Sequence, residues 1–205
     1  VFWRQPSRAL VGIDICAREI RLLQLKKRRR EFSVAVCAAL PLPAGVVEDG
    51  KIKQLESAQA VLKKLVAAAA VQGAPAALAL PISAVISKRV VVPKPVLRSV
   101  NTEHFQQYFP GVHGALCFDY TLVDEVAKNF VEITLLAAKL QSLNQYLLLA
   151  EHADLNLKII DVDTHALARV VANPQAYTYL HAALKLNAPR FMLCASLAMR
   201  EAPLW

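Results

Sequence analysis

No apolar run in this 205-residue chain reaches the roughly 18–20 residues that a membrane-spanning helix needs. The richest stretch, residues 65–87, is broken by Gln72, Gly73, Pro75, Pro81 and Ser83. Metal-ligand spacing is missing as well. The four cysteines, Cys16, Cys37, Cys117 and Cys194, form no C-x-x-C, and the five histidines form no H-E-x-x-H. Buried free thiols in a reducing compartment, and no metal site, are the expectation. No nucleophile–base pair or carboxylate dyad stands out. Asp161 and Asp163 share a strand face but read as capping or solvated groups, so no catalytic residue is assigned and no enzyme activity is expected.

What is present is apolar. A 56% apolar and 20% charged composition argues against disorder and suffices for one sizeable domain or two small ones. The formal charge of +8 is concentrated locally, in the consecutive Lys26, Lys27, Arg28, Arg29 and Arg30. Such a run reads as a solvated hairpin turn, or as a contact for an anionic membrane surface. Aromatic residues are not interleaved with it, so nucleic acid is not expected as a partner.

The patterning predicts three consecutive strands at 10–15, 20–26 and 32–40. A helix over 56–71 follows, stopped by Gly73, and then a short buried strand in "AALALP", 76–81. Three meandering strands, a helix and a parallel fourth strand open a ribonuclease-H-like or actin-like α/β subdomain. Residues 84–160 read as an inserted β-α-β-β-α-β module. Its parts are the strand "AVISKRVVV", a helix over 98–109, the strands "CFDYTLV" and "FVEITLLAA" joined by a turn from Asp124 to Asn129, a helix over 140–153 and the strand "NLKIIDVD". Asp163 or Thr164 is the expected cap of a helix over 165–172. The domains expected are thus 8–83, the insertion 84–160 and a return over 161–205, where "RFMLCASLAMR" reads as a buried helix covering the first subdomain.

The ordered motifs "LVGIDI…LLQL", "PLPAGVVEDGKI", "ALALPISAVISKRVVVP", "QQYFP", "FDYTLV", "ITLLAAK" and "DLNLKIIDVDTHAL" resemble the PilM family of type IV pilus assembly proteins, from about residue 8 to 171. The resemblance implies an actin-like fold related to FtsA, with 84–160 as the inserted subdomain called 1C. It further implies a bacterial cytoplasmic protein peripheral to the inner membrane, which acts as a scaffold and binds the N-terminal cytoplasmic peptide of a PilN-like membrane protein. The competing readings are an actin-like ATPase and a GspL-like component of type II secretion.

Two departures from the family pattern stand out. Where members carry glycine, small hydroxylated residues and a lysine after the strand-end Asp, this chain has Cys16, Ala17, Arg18, Glu19 and then Arg21. Phosphate oxygens need close approach to backbone N–H groups, which Cβ atoms crowd. The cofactor contacts carried over are Asp14, Ala17, Arg18 and Arg21, as the remnant of an ATP/Mg²⁺ site; Asp14 reads equally as a strand-end cap. In the second departure, the second actin-like subdomain and its phosphate loop do not follow residue 172. The chain reads as two ends of a longer relative joined across roughly 173–188, so weak or absent nucleotide binding is expected.

The expected partner site is a groove between the first subdomain and the insertion, bordered by residues 80–92. Leu80, Pro81, Ile86 and Val92 are its apolar lining, and Lys88 or Arg89 meets polar groups of a peptide. Tyr108 and Phe109 are expected as aromatic anchors. Phe105 is expected in the core of the insertion.

Overall fold

The computed structural model describes residues 10–28, 31–98, 102–172, 178, 184 and 188–200. It divides into two compact units, one of Val1–Pro81 with Gln145–Trp205 and one of Ile82–Asn144.

The first unit opens with an antiparallel meander of β1 (Val11–Ile15), β2 (Glu19–Arg28) and β3 (Glu31–Pro41). A two-residue pair, β4 (Val47–Glu48) and β5 (Lys51–Ile52), leads into helix α1 (Leu55–Ala68). Helix α1 buries Ala58, Leu62, Leu65 and Val66 on one stripe. It stops earlier than the expected 71, and Gly73 is not what stops it. Ala70 adopts the left-handed φ of 53°. The Ala70 N–H donates to the Ala67 carbonyl and the Val71 N–H to the Val66 carbonyl, which closes the helix end. Strand β6 (Pro75–Leu80) then runs parallel to β1.

The second unit is a three-stranded antiparallel sheet of β7 (Val85–Pro93), β8 (Leu116–Ala127) and β9 (Phe130–Lys139), in the order β7-β9-β8. The expected helix over 98–109 contracts to α2 (Thr102–Gln106), with Tyr108 and Phe109 in tight turns beyond it. The expected charged turn contracts too. Register pairs run to Ala127↔Phe130, so Asp124 and Glu125 lie on the strand. One face of this sheet carries Val92, Ile133, Leu135 and Ala137, packed with Phe105, Phe109 and Leu116.

Helix α3 (Leu140–His152) belongs to the second unit at its start and to the first from Gln145 onward. Strand β10 (Asn156–Val162) pairs parallel with β6 and completes the larger sheet, ordered β10-β6-β1-β2-β3. The elements after β6 keep the expected β-α-β-β-α-β order. The last strand, however, lies in the larger sheet, and the second unit ends at Asn144 rather than 160. The physical reason is burial. Leu157, Ile159 and Val162 find apolar partners beside Ala76 to Leu80 of β6. Helix α4 (Asp163–Val171) starts at Asp163, whose carboxylate accepts the Thr164 N–H at 2.6 Å, with no side-chain cap before it.

Helix α5 (Ala188–Ala198) lies across the larger sheet. Its Phe191, Cys194 and Ala195 pack with Leu23 and Leu25 of β2, and its Leu197 with Ala77, Ala79 and Ile159. Strand β1 is buried along its whole length beneath it. Gly12 is what permits the seating: a Cβ there would lie 1.9 Å from the Cys194 carbonyl oxygen and 2.9 Å from the Ala198 nitrogen.

Candidate functional site

Parallel strands β1, β6 and β10 end on the same edge of the larger sheet, which gathers their C-terminal residues. A cavity of about 240 Å³ opens there, lined by Asp14, Ile15, Cys16, Ala17, Val47, Gly50, Ala79, Pro81 and Asp163. Cavities at the carboxyl ends of parallel strands are the usual ligand sites of α/β sheets.

The turn from β1 to β2 is short because its own groups close it. The Cys16 N–H donates to the Glu19 carbonyl at 3.1 Å, and the Cys16 thiol donates to the same oxygen at 3.3 Å. The Arg18 carbonyl accepts the Leu42 N–H at 2.8 Å, which ties the turn to the end of β3. Asp14 is 8% exposed. Burial raises its pKa above the usual carboxylate value, against the pull of Arg21, with Asp163 and Glu19 pushing the same way as burial. Tyr146 of α3 is buried near both carboxylates; burial first, then Asp14 and Asp163, raise its hydroxyl pKa.

The central feature is a cluster of two arginines on one glutamate. Glu19 Oε1 accepts from Arg21 Nε at 2.6 Å and from Arg190 Nε at 2.9 Å, while Glu19 Oε2 is bonded to Arg190 Nη2. Arg21 Nη1 also donates to Asp14 Oδ2 at 3.1 Å and to the Arg190 carbonyl at 3.0 Å. The forked contact with Arg190 is the strong, charge-assisted kind. Hydrogen bonding from Arg190, then from Arg21, outweighs burial and holds the Glu19 pKa down to about 2. Asp161 forms a second cluster with Arg169 of α4 and with Arg200 Nη1 at 3.0 Å. Helix α5 is thus fastened near both ends, by Arg190 to Glu19 and by Arg200 to Asp161.

A sign for acid stability follows. Glu19 has a folded pKa below its ordinary 4.5, so its contribution is complete above that value and is lost as pH falls from about 4.5 toward 2. Asp14, with a raised pKa, acts in the opposite direction. The expected result is a steeper acid loss of urea midpoint in the wild type than in Glu19→Gln. Parallel midpoint-against-pH curves for the two proteins would contradict this.

The structure brings Asp14, Ala17 and Arg21 to one place, but Arg21 is not free to meet a phosphate. It is committed to Asp14 and Glu19. Arg18 is exposed. Among the described residues no group of three or more Cys, His, Asp or Glu side chains is disposed to hold a metal ion. A Mg²⁺-nucleotide does not fit this turn as it stands: the guanidiniums are filled by Glu19, and every residue from Asp14 to Arg21 carries a Cβ. Arg190 and Tyr146 went unpredicted, and Asp163, expected only as a capping or solvated group, lines the cavity. The one visible signal for Arg190 was a pair of arginines, Arg190 and Arg200, bracketing an apolar helix.

Of the expected partner residues, Leu80, Val92 and Phe109 are core side chains at 3%, 0% and 2% exposure, which corrects their placement on a binding surface. Each faces the apolar side of its own sheet or cluster. Pro81 borders the cavity of the first unit. Within the second unit Ile86 is 40% exposed, Lys88 and Arg89 are exposed, and Tyr108 is half-buried. Ile86 and Lys88 pair across from Ala137 and Leu135, on the face that carries the core, whereas Arg89 pairs with Thr134 and points to the other face. Arg89 therefore does not join them. Lys88 Nζ stands 5.6 Å from the Phe109 ring centroid. Phe105 is fully buried. The basic run occupies the end of the β2–β3 hairpin, where Lys27 pairs with Phe32 and Arg28 with Glu31; Arg29 and Arg30 lie outside the described residues.

An antiparallel meander continued by parallel strands in the order β10-β6-β1-β2-β3, with a smaller unit inserted between β6 and β10, defines the actin-like class of α/β proteins. Within that class the chain belongs to the family of the type IV pilus assembly protein PilM, whose family model matches residues 12–181. A solved PilM–PilN type IV pilus biogenesis complex is similar to it with a TM-score of 0.68 at 20% identity, over 82% of this chain and 53% of that one. At this identity the likeness is one of fold. The cytoplasmic domain of EpsL, an inner-membrane component of the type II secretion system of Vibrio cholerae, aligns with a TM-score of 0.48 at 12% identity, over 77% of this chain and 58% of that one. The chain thus spans about half the length of these two structures. Among the described residues no helix is long and apolar enough to cross a membrane.

Proposed function

We propose that this chain is a non-catalytic scaffold of type IV pilus assembly that receives a short apolar peptide, the N-terminal cytoplasmic segment of a PilN-like membrane protein. Family membership supports the setting. The observation that carries the peptide reading is the surface beside β7. Ile86 continues the apolar face of the second sheet beyond its helical cover, Lys88 stands at its rim, and Tyr108 offers a partly buried ring with a polar tip.

A synthetic PilN-like N-terminal peptide is expected to bind the full chain in fluorescence anisotropy. Ile86→Asp and Tyr108→Ala should each weaken binding on the order of tenfold, as removal of an interface anchor does, with circular dichroism unchanged. Equal binding by all three proteins would move the surface elsewhere. No binding by the wild type would remove the scaffold reading.

A further inference from the structure

The disagreement between the β1–β2 turn and the nucleotide site that the family pattern implies has a specific cause. Two guanidiniums, from β2 and from α5, converge on a single carboxylate of the same turn. Convergent arginine forks recognise phosphate and carboxylate through the same geometry, paired N–H donors onto paired oxygens. Glu19 has the oxygens, the charge and the position of a bound oxyanion. We propose that Arg21 and Arg190 form an anion site for a phosphate-type oxyanion, and that the chain closes this site itself with the Glu19 carboxylate. This goes beyond the scaffold reading and does not depend on it.

Three observations bear on the closure. Glu19 takes hydrogen bonds on both oxygens, so it is held as a ligand and not merely near the arginines. Its side chain is 15% exposed, while that of Arg190, which also stands over the Phe191 ring, is 49% exposed, so the anion position is covered from outside by Arg190. Arg21 is also bonded to Asp14 and to the Arg190 carbonyl, which fixes one half of the fork when Glu19 is removed. A lysine at position 21 would lack the planar fork whose separated nitrogens reach Glu19, Asp14 and the Arg190 carbonyl together.

The test is calorimetric titration of inorganic pyrophosphate and, separately, inorganic phosphate into the full chain at low ionic strength. The wild type is expected to show no saturable binding. Glu19→Ala vacates the fork and should bind pyrophosphate on the order of tenfold or more above the wild-type limit. The double variant Glu19→Ala/Arg190→Gln should lose that gain. Binding of phosphate as well would mark a single-phosphoryl site; binding of pyrophosphate alone would mark one that spans two. Wild-type binding equal to that of Glu19→Ala overturns the closure. A folded Glu19→Ala that binds neither anion, or a double variant that binds as well as the single, overturns the site. Should Glu19→Ala not fold, Glu19→Gln, which keeps the side-chain volume and removes the charge, takes its place in the same titrations, and its failure to bind either anion overturns the site.

Discussion

Gly12→Ala is expected to destabilise the first unit by about 3 kcal/mol or more, the upper end of the cost of overpacking a close-packed interior. The Cβ would meet backbone atoms of α5, the Cys194 carbonyl oxygen at 1.9 Å and the Cys194 carbonyl carbon at 2.8 Å. Backbone of a helix cannot rotate away as the end of a side chain can. Either α5 lifts off β1 or the strand bends, and both expose Leu197, Phe191 and the fully buried strand beneath. For a chain of this size such a loss lowers Tm by roughly 6–12 °C. Gly111→Ala is the contrast. Nothing lies within 4 Å of its added Cβ, and only the left-handed φ of 79° opposes it, so a cost of about 1 kcal/mol is expected. Urea unfolding of the two variants measures the difference. A Gly12→Ala change below about 0.5 kcal/mol, the range of an ordinary surface substitution, would mean that α5 does not seat on β1 as described.

The second large effect is expected at Phe109. Truncation to alanine should cost roughly 3–5 kcal/mol, as for other buried phenylalanines, and the loss should be concentrated in the second unit. Phe109 is 2% exposed, its ring centroid 5.7 Å from that of Phe118, and Phe105 contacts the same Phe118 at 5.9 Å. Three rings so arranged form much of a small core built on only three strands. Hydrogen exchange should show accelerated amides across Val85–Pro93 and Phe130–Lys139 in Phe109→Ala, with Val11–Ile15 unchanged. A variant with wild-type exchange but impaired peptide binding would return Phe109 to the role of a partner anchor, the reading that burial now opposes. Tyr108, one residue away and half-buried, should show the reverse pattern.

Neighbouring residues of such different burial mark where sequence reasoning stops. In "QQYFP" two aromatics precede a proline, and their chemistry makes either one a plausible core or surface group. Which is buried depends on how the short helix Thr102–Gln106 closes over the sheet, and that is a tertiary event. The same holds for β10. Its apolar residues announced a strand after a helix, but not that it would leave the inserted order and pair with β6.

The order of elements, an α/β subdomain of ribonuclease-H-like or actin-like kind and a turn after Asp14 without glycine were determined by local chemistry alone. Apolar periodicity fixes the element type, and a turn from Cys16 to Arg21 without glycine cannot offer bare backbone to a phosphate. Only the tertiary structure decided what the turn does with its charges. In the sequence Glu19 looks like an unfavourable neighbour for phosphate, because Arg190 stands far away along the chain. Folding carries Arg190 across the sheet on α5 and sets it against Glu19, since the apolar face of that helix buries itself against β1, β2 and β6 above Gly12. Pairing at long sequence separation is fixed by packing, and packing of this kind leaves no periodic trace in the sequence.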